Sequence, residues 1–378
     1  MKKSYLLTPG PTPLPSGITE ALSRPIIHHR TPQFQEILKQ AEESLKYVFQ
    51  TDNDVFIFAS SGTGVMEAAV ANLLSPQDTV ITVEGGKFGQ RWTEICRAYG
   101  VNCEVVKVEW GRAVEPQDIG KRLKSNPKIK AVFATHCETS TGVINDIQAI
   151  GKIIKDTEAV FVVDAISSLG AVPLLTDAWF CDVVVSGSQK GLMLPPGLGF
   201  ISVSSKAWNL IGQSNSPRYY FDLRSAKKSL DKTDTPFTPA ISLVVALNES
   251  LRMLREEGLE NAFLRHKNMA EATRQAAKAL GLELFAPAAA SDVVTAIRVP
   301  SGIDGAKLVK TMREEYGVTI AGGQAQLKGK IIRIAHMGYI DEFDIILAVS
   351  CLEKVLCQMG YKFQLGAGVK AAQEVFLK

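Results

Sequence analysis

Lys190 lies in SGSQKGLMLPPGLGF (186–200), between a small-residue turn and a Gly/Pro-rich loop, with apolar residues on both sides. A lysine set among Leu, Met and Pro either snorkels past them or is kept for its amine. Desolvation lowers a lysine pKa and yields a neutral, nucleophilic amine. A plain surface lysine in a connecting loop is the competing reading. Gln189 beside it is a potential donor or polar filler. Asp164 closes the very apolar run Ala159-Val-Phe-Val-Val163. A carboxylate there is costly unless it meets a cation or N–H donors. It reads either as a helix N-cap or as the counter-ion of a buried cationic ring nitrogen.

Three further clusters follow apolar runs. Ala-Ser-Ser-Gly-Thr-Gly64 follows Val55-Phe-Ile-Phe58 and precedes a helical pattern. Strand, small-residue turn and helix N-terminus together hold phosphate, although a tight turn capped by Thr63 fits equally well. The spacing is neither G-x-G-x-x-G nor a P-loop, so dinucleotide and nucleotide readings lack their fingerprint. Phe88, in Glu-Gly-Gly-Lys-Phe-Gly-Gln-Arg-Trp92, offers a face for a flat ligand or is core. Thr-His-Cys-Glu-Thr-Ser-Thr-Gly142 is a hydroxyl-rich turn. Together these supply a phosphate cradle, an aromatic platform, hydroxyls, an acid and an amine. That inventory suits pyridoxal phosphate held as a lysine Schiff base, with the acid at the pyridine nitrogen.

The elements that must position these residues are legible as a pattern. From residue 54, seven runs rich in Val, Ile and Phe alternate with helix-like stretches: 55–58, 79–83, 104–108, 131–134, 159–163, 182–185 and 199–203. Alternation over this length predicts an α/β fold with a mostly parallel seven-stranded sheet. Ligands of such sheets bind beyond the carboxyl ends of the strands, where every cluster above falls. Only the lysine loop joins the last two runs, so they are expected to be antiparallel. The 26 residues from Asp164 to Lys190 leave room for one helix and one strand. After Ser242 the pattern changes to helices at 243–257, 259–280, 305–316 and 342–359, with strands near 293–298, 318–320 and 331–334. This predicts an N-terminal arm (1–15), a large cofactor-binding domain (16–260) and a smaller α+β C-terminal domain (261–378).

The chain has 378 residues, 46% hydrophobic and 21% charged, with a net charge of +3. That balance gives no reason to expect nucleic acid or a membrane as partner. The apolar run at the start is too short for an export signal. Six cysteines without C-x-x-C spacing read as free thiols in a reducing cytoplasm. Five histidines without H-x-x-x-H spacing make a metal site an unfavoured expectation.

The sequence resembles the class V aminotransferases of fold-type I, most of all the alanine–glyoxylate and serine–glyoxylate (serine–pyruvate) enzymes. The likeness runs in order through nearly the whole chain: TPGPTPLP (8–15), SSGTGVMEA (60–68), GGKFGQRW (85–92), THCETSTGV (135–143), VVDAISSLG (162–170), SGSQKGLMLPPGLGF (186–200), TPFTP (235–239), EEGLENAFLRH (256–266), GKIIRIAHMG (329–338) and LGAGVKAAQEVF (365–376). The resemblance implies that Lys190 is the Schiff-base lysine and that Asp164 pairs with the pyridine nitrogen. It puts Phe88 against the cofactor ring, Thr139 against the ring or its phenolic oxygen, and Thr63, Gly64, Val65 and Gln189 around the phosphate. It implies a homodimer in which Thr238 reaches the partner's phosphate. Arg333 matches the arginine that grips the substrate α-carboxylate. The expected reaction is ping-pong transfer of an amino group from serine or alanine to glyoxylate or pyruvate. Two departures stand out. Thr235 occupies a position that some members fill with Tyr, and HHR at 28–30 carries no individual assignment for His28, His29 or Arg30. Cys137, beside the cofactor loop, has none either. A cysteine desulfurase or lyase shares the fold and cofactor, but the loop 321–330 lacks the expected cysteine. A non-catalytic partner subunit that binds the cofactor is a further alternative, and a nicotinamide dehydrogenase is the fallback.

Overall fold

The computed structural model describes residues 3–378. Its centre is a seven-stranded sheet. In spatial order the strands are Asp54–Ser60, Gly197–Val203, Val183–Gly187, Val160–Asp164, Ile129–Thr135, Thr79–Glu84 and Asn102–Lys107. Gly197–Val203 is antiparallel to both its neighbours, and every other pairing is parallel. All seven expected runs are strands of this one sheet, and the last two are antiparallel as expected.

The near-continuous apolar runs have a physical reason. Alternate residues of each strand face opposite sides of a sheet. Phe161, Val163, Val132 and Ala134 join the core beneath the helices Ser16–Leu22, Pro32–Phe49, Pro116–Ser125, Ile147–Ile154 and Ile241–Glu257. Val160, Val162, Ala131 and Phe133 join the opposite core, under Gly62–Leu73, Lys87–Ala98, Ser205–Ile211 and Leu223–Leu230. A sheet covered on both faces needs apolar residues of both parities.

A third core gathers the C-terminal elements. The strands Val294–Arg298, Ile331–Ala335 and Ala321–Gly322 form an antiparallel sheet backed by helices Gly305–Tyr316 and Glu342–Gln358. Helix Leu259–Ala279 starts in the first core, through Leu259 and Ala262, and ends in the third, through Met269 and Ala276. The N-terminal arm also reaches the third core: Tyr5–Leu6 pairs in parallel with Val318–Thr319, and Leu7 is buried there. No helix among the described residues is long and apolar enough to cross a membrane.

One expectation needs correction. The segment from Asp164 to Lys190 contains the strand Val183–Gly187 but no helix; residues 165–182 are a chain of turns. Gly170, at φ +73°, and Pro173 interrupt any helical run there. Asp164 is therefore not a helix N-cap.

Candidate functional site

Thr135 and Asp164 are register partners on adjacent strands, and Val185 lies across from Asp164 on its other side. Asp164 thus ends a strand in the middle of the sheet, fully enclosed. One carboxylate oxygen accepts the Ile166 N–H at 2.8 Å. No ion pair reaches Asp164 among the described residues. Burial pushes its carboxyl up to about 7; Glu138 adds to that, while the Ile166 N–H, Arg91 and Lys190 oppose it. A buried carboxyl with one hydrogen bond and no cation is what a protonated ring nitrogen would complete.

Lys190 follows the neighbouring strand. It is 8% exposed, so the snorkelling alternative fails. Burial pushes its amine down to about 8, with Asp164 and Cys137 pulling the other way. Its Nζ donates to the Pro9 carbonyl. Thr12 Oγ1 donates to the Lys190 carbonyl at 3.2 Å. A Cβ added to Gly10, which sits at φ +98°, would come within 2.5 Å of Lys190 Cε. The arm segment TPGPTP therefore walls the amine, a role that no local pattern in the sequence announces.

The small-residue turn 59–64 opens helix Gly62–Leu73, with Ser61 as N-cap. The N–H groups of Gly64 and Val65 turn back to the Ser61 carbonyl, and Gly64 also bonds Ser61 Oγ. Gly62 and Thr63 lead the helix, where N–H groups have no intrahelical acceptor. Gln189 Oε1 is buried without a hydrogen-bond partner. It lies 3.1 Å from where a Gly187 Cβ would stand, and Gly62 N lies 3.5 Å from the same point. The polar end of Gln189 therefore adjoins the helix start.

Phe88 is half-buried at the head of helix Lys87–Ala98. Its backbone is fixed by a residue left unassigned in the sequence, Glu138. That buried carboxylate accepts from Phe88 N at 3.0 Å, Gly89 N at 2.8 Å, and Ser140 Oγ at 2.5 Å. Burial raises the Glu138 pKa, and these donors oppose the rise. Gly86 is required by proximity, because a Cβ there would strike the Glu138 side chain. Arg91, one turn beyond Phe88, donates to Thr63 Oγ1 at 3.2 Å and stacks 4.9 Å from the Phe88 ring centroid.

Arg333 is 3% exposed, so it is not an edge-strand surface residue. Nε and Nη2 donate to Gly322 O at 3.0 and 2.7 Å, and Nη1 donates to Thr139 O at 2.7 Å. Three of the five guanidinium N–H groups are thereby engaged, leaving two. Burial pushes its pKa down to about 10. Thr139 is buried beside Glu138 and joins the Phe88 anchor to Arg333.

Thr238 does not join this group. It is exposed, on the loop before helix Ile241–Glu257, and no hydrogen bond ties it to the Lys190 cluster. Arg30 belongs to that loop's support: it pairs with Asp234 and donates to Thr235 O at 3.2 Å. The His28 and His29 rings lie 4.8 Å apart next to it. Cys137 is buried, with Sγ 2.9 Å from Ser291 Oγ, and burial pushes its thiol up to about 12. All six cysteines are free.

The residues present fit pyridoxal phosphate: an enclosed amine, a buried carboxyl without an ion-pair partner, an aromatic face, and a helix start whose leading N–H groups have no intrahelical acceptor. A sequence profile described as "Aminotransferase class-V" matches residues 5–339. The chain is 45% identical to the "Soluble hydrogenase 42 kDa subunit" of Anabaena cylindrica, over 99% of each chain. It is 39% identical to the "Serine--glyoxylate aminotransferase" of Methylorubrum extorquens, over 98% of this chain and 95% of that one. The ureidoglycine–glyoxylate aminotransferase structure from Bacillus subtilis superposes with a TM-score of 0.95 at 31% identity, covering 100% of this chain and 99% of that one.

Proposed function

The chain belongs to the class V aminotransferase family, a family of pyridoxal phosphate enzymes, and on that premise we propose that it moves an amino group from serine or alanine to glyoxylate or pyruvate. The observation that carries this reading is the pairing of Lys190 and Asp164 at the carboxyl ends of adjacent strands, both enclosed. When bound, pyridoxal phosphate supplies the electron sink that makes the α-proton of an amino acid acidic.

The chain's own residues do the rest. Asp164 would set its carboxylate against the ring nitrogen and so hold a proton there. Phe88 would offer its face to the cofactor ring, and Glu138 keeps Phe88 in place. The two N–H groups of Arg333 left by Gly322 and Thr139 take the α-carboxylate and fix which α-bond faces Lys190. Lys190 Nζ then removes the α-proton, for which an amine tuned to about 8 is well matched. The second half-reaction, with the oxo acid, uses the same groups in reverse, giving ping-pong order. In a homodimer the exposed Thr238 serves the partner's phosphate. Exposed Tyr219 and Tyr220, both packed on Phe237 two residues away from Tyr-free TPFTP's Thr235, accompany it at the same surface.

The 39% identical relative named for serine and glyoxylate supports that substrate pair. The 45% identical relative named as a hydrogenase subunit favours a second reading, a cofactor-binding partner in a larger assembly. Single-turnover mixing with a panel of amino acids separates them. Serine or alanine should bleach the visible band of the bound cofactor, and Lys190→Ala should lose both that band and turnover. A chain that holds the cofactor yet answers no amino acid supports the second reading.

A further inference from the structure

Arg91 has no role in the mechanism above, yet its guanidinium touches both the Phe88 ring and Thr63 at the head of the neighbouring helix, and its charge lowers the pKa of Lys190 and Asp164. It is half-buried and has no carboxylate partner among the described residues. Its one side-chain hydrogen bond among the described residues goes to Thr63 Oγ1, on the second residue of helix Gly62–Leu73. A helix N-terminus carries a positive partial charge. A guanidinium set against it is repelled unless an anion lies between them. Glu138 does not serve, because its oxygens face Phe88, Gly89 and Ser140. The Phe88 ring, 4.9 Å away, holds the guanidinium in place, and the Glu138 anchor fixes the turn that carries both.

Building on the proposed function, we propose that Arg91 is the cationic ligand of the cofactor's phosphate. It closes the cradle formed by Thr63, the start of helix Gly62–Leu73 and Gln189. The helix supplies N–H groups and Gln189 Nε2 an amide N–H, but neither brings a full charge. A phosphate dianion between Arg91 and the helix start removes the repulsion and gains a charge-assisted hydrogen bond.

The test is a spectrophotometric titration of the full chain, stripped of cofactor, with pyridoxal phosphate and separately with pyridoxal. The two share the aldehyde, the ring and its nitrogen, and differ in the phosphate. Arg91→Ala should weaken pyridoxal phosphate on the order of 10-fold more than it weakens pyridoxal. Arg91→Lys, which keeps the charge but not the planar fork, should fall between. Equal weakening of both aldehydes would mean a merely structural role and overturn the assignment. An unaltered ratio, with a changed preference between acidic and neutral amino acids, would move Arg91 to the substrate and also overturn it. A wild type that takes up neither aldehyde overturns the functional reading, and Arg91's role with it. A wild type that discriminates, beside an Arg91→Ala variant that discriminates equally, overturns the role of Arg91 alone.

Discussion

Burial of Lys190 has a kinetic consequence. An ammonium has no lone pair, so only the neutral amine attacks an aldehyde. With its pKa pushed down to about 8, the neutral fraction grows as pH rises toward and through 8, two units earlier than for a solvated lysine. The rate of cofactor uptake by the stripped enzyme should therefore rise about tenfold from pH 6 to 7, and level off above 8 to 9. Stopped-flow absorbance against pH measures this directly. A rise that continues to pH 10 would show an ordinary lysine and remove burial as the activating cause. Neighbouring residues set the value: the Pro9 carbonyl and Gly10 close one side of the amine, and Asp164 faces another.

At the scale of elements, the sharpest case is helix Ala367–Phe376. Its N-cap is Gly366, which has no side chain to cap it, and its leading N–H groups are met from outside. Glu353, buried on helix Glu342–Gln358, accepts from Gly366 N at 2.8 Å, Gly368 N at 2.8 Å and Val369 N at 3.1 Å. Glu353→Ala leaves the buried Gly368 N–H unmatched and takes the acceptor from two more accessible ones, at a cost on the order of 1–3 kcal/mol. Urea unfolding should show the loss, and amide exchange should quicken within 367–376. A variant with both unchanged would mean that packing alone holds the helix. The same helix shows where a sequence stops being legible. Its cap lies thirteen residues or more upstream, so no local signal marks it. The Tyr5–Leu6 strand is hidden for a like reason: two residues make no pattern, and the partner strand begins at Val318. The seven central strands were legible because burial on both faces writes itself into each run. Lys190 and Asp164 could be singled out because an ionisable group at the end of an apolar run is costly without a purpose. Glu138 and Arg91 could not, since Glu138 fixes Phe88 from 50 residues away and Arg91 meets Thr63 across 28, and ordinary acidic and basic residues carry no such mark.

Across the whole molecule, three of the five histidines are buried and neutral. Burial pushes His136 down to about 4, and His266 and His336 down to about 3. Two of them stitch the C-terminal sheet to its surroundings. His336 bridges Thr295 Oγ1 and the Asp292 carbonyl. His266 takes the Gly338 N–H at Nε2 while its Nδ1 meets the Ala262 carbonyl. Gly338 in turn abuts the Lys190 carbonyl, so His266 connects the C-terminal elements to the Lys190 loop. Each folded pKa lies below its unfolded value of about 6.5, so the unfolded chain binds the proton first. The stability these groups contribute is complete above pH 6.5 and drains away as pH falls toward 3 to 4. Asp164 and Glu42 act with the opposite sign. Burial raises them to about 7 and about 8, so their contribution is lost as pH rises from about 4 through those values. Comparing wild type with His266→Gln cancels every group except the one removed. The wild type should lead near pH 7, and its lead should shrink by about 1.4 kcal/mol for each pH unit below 6.5. Urea midpoints from pH 7 to 4.5 measure that gap. A gap independent of pH would mean that His266 takes up its proton at the same pH folded as unfolded, and its hydrogen bond from Gly338 N could then not hold below pH 6.5.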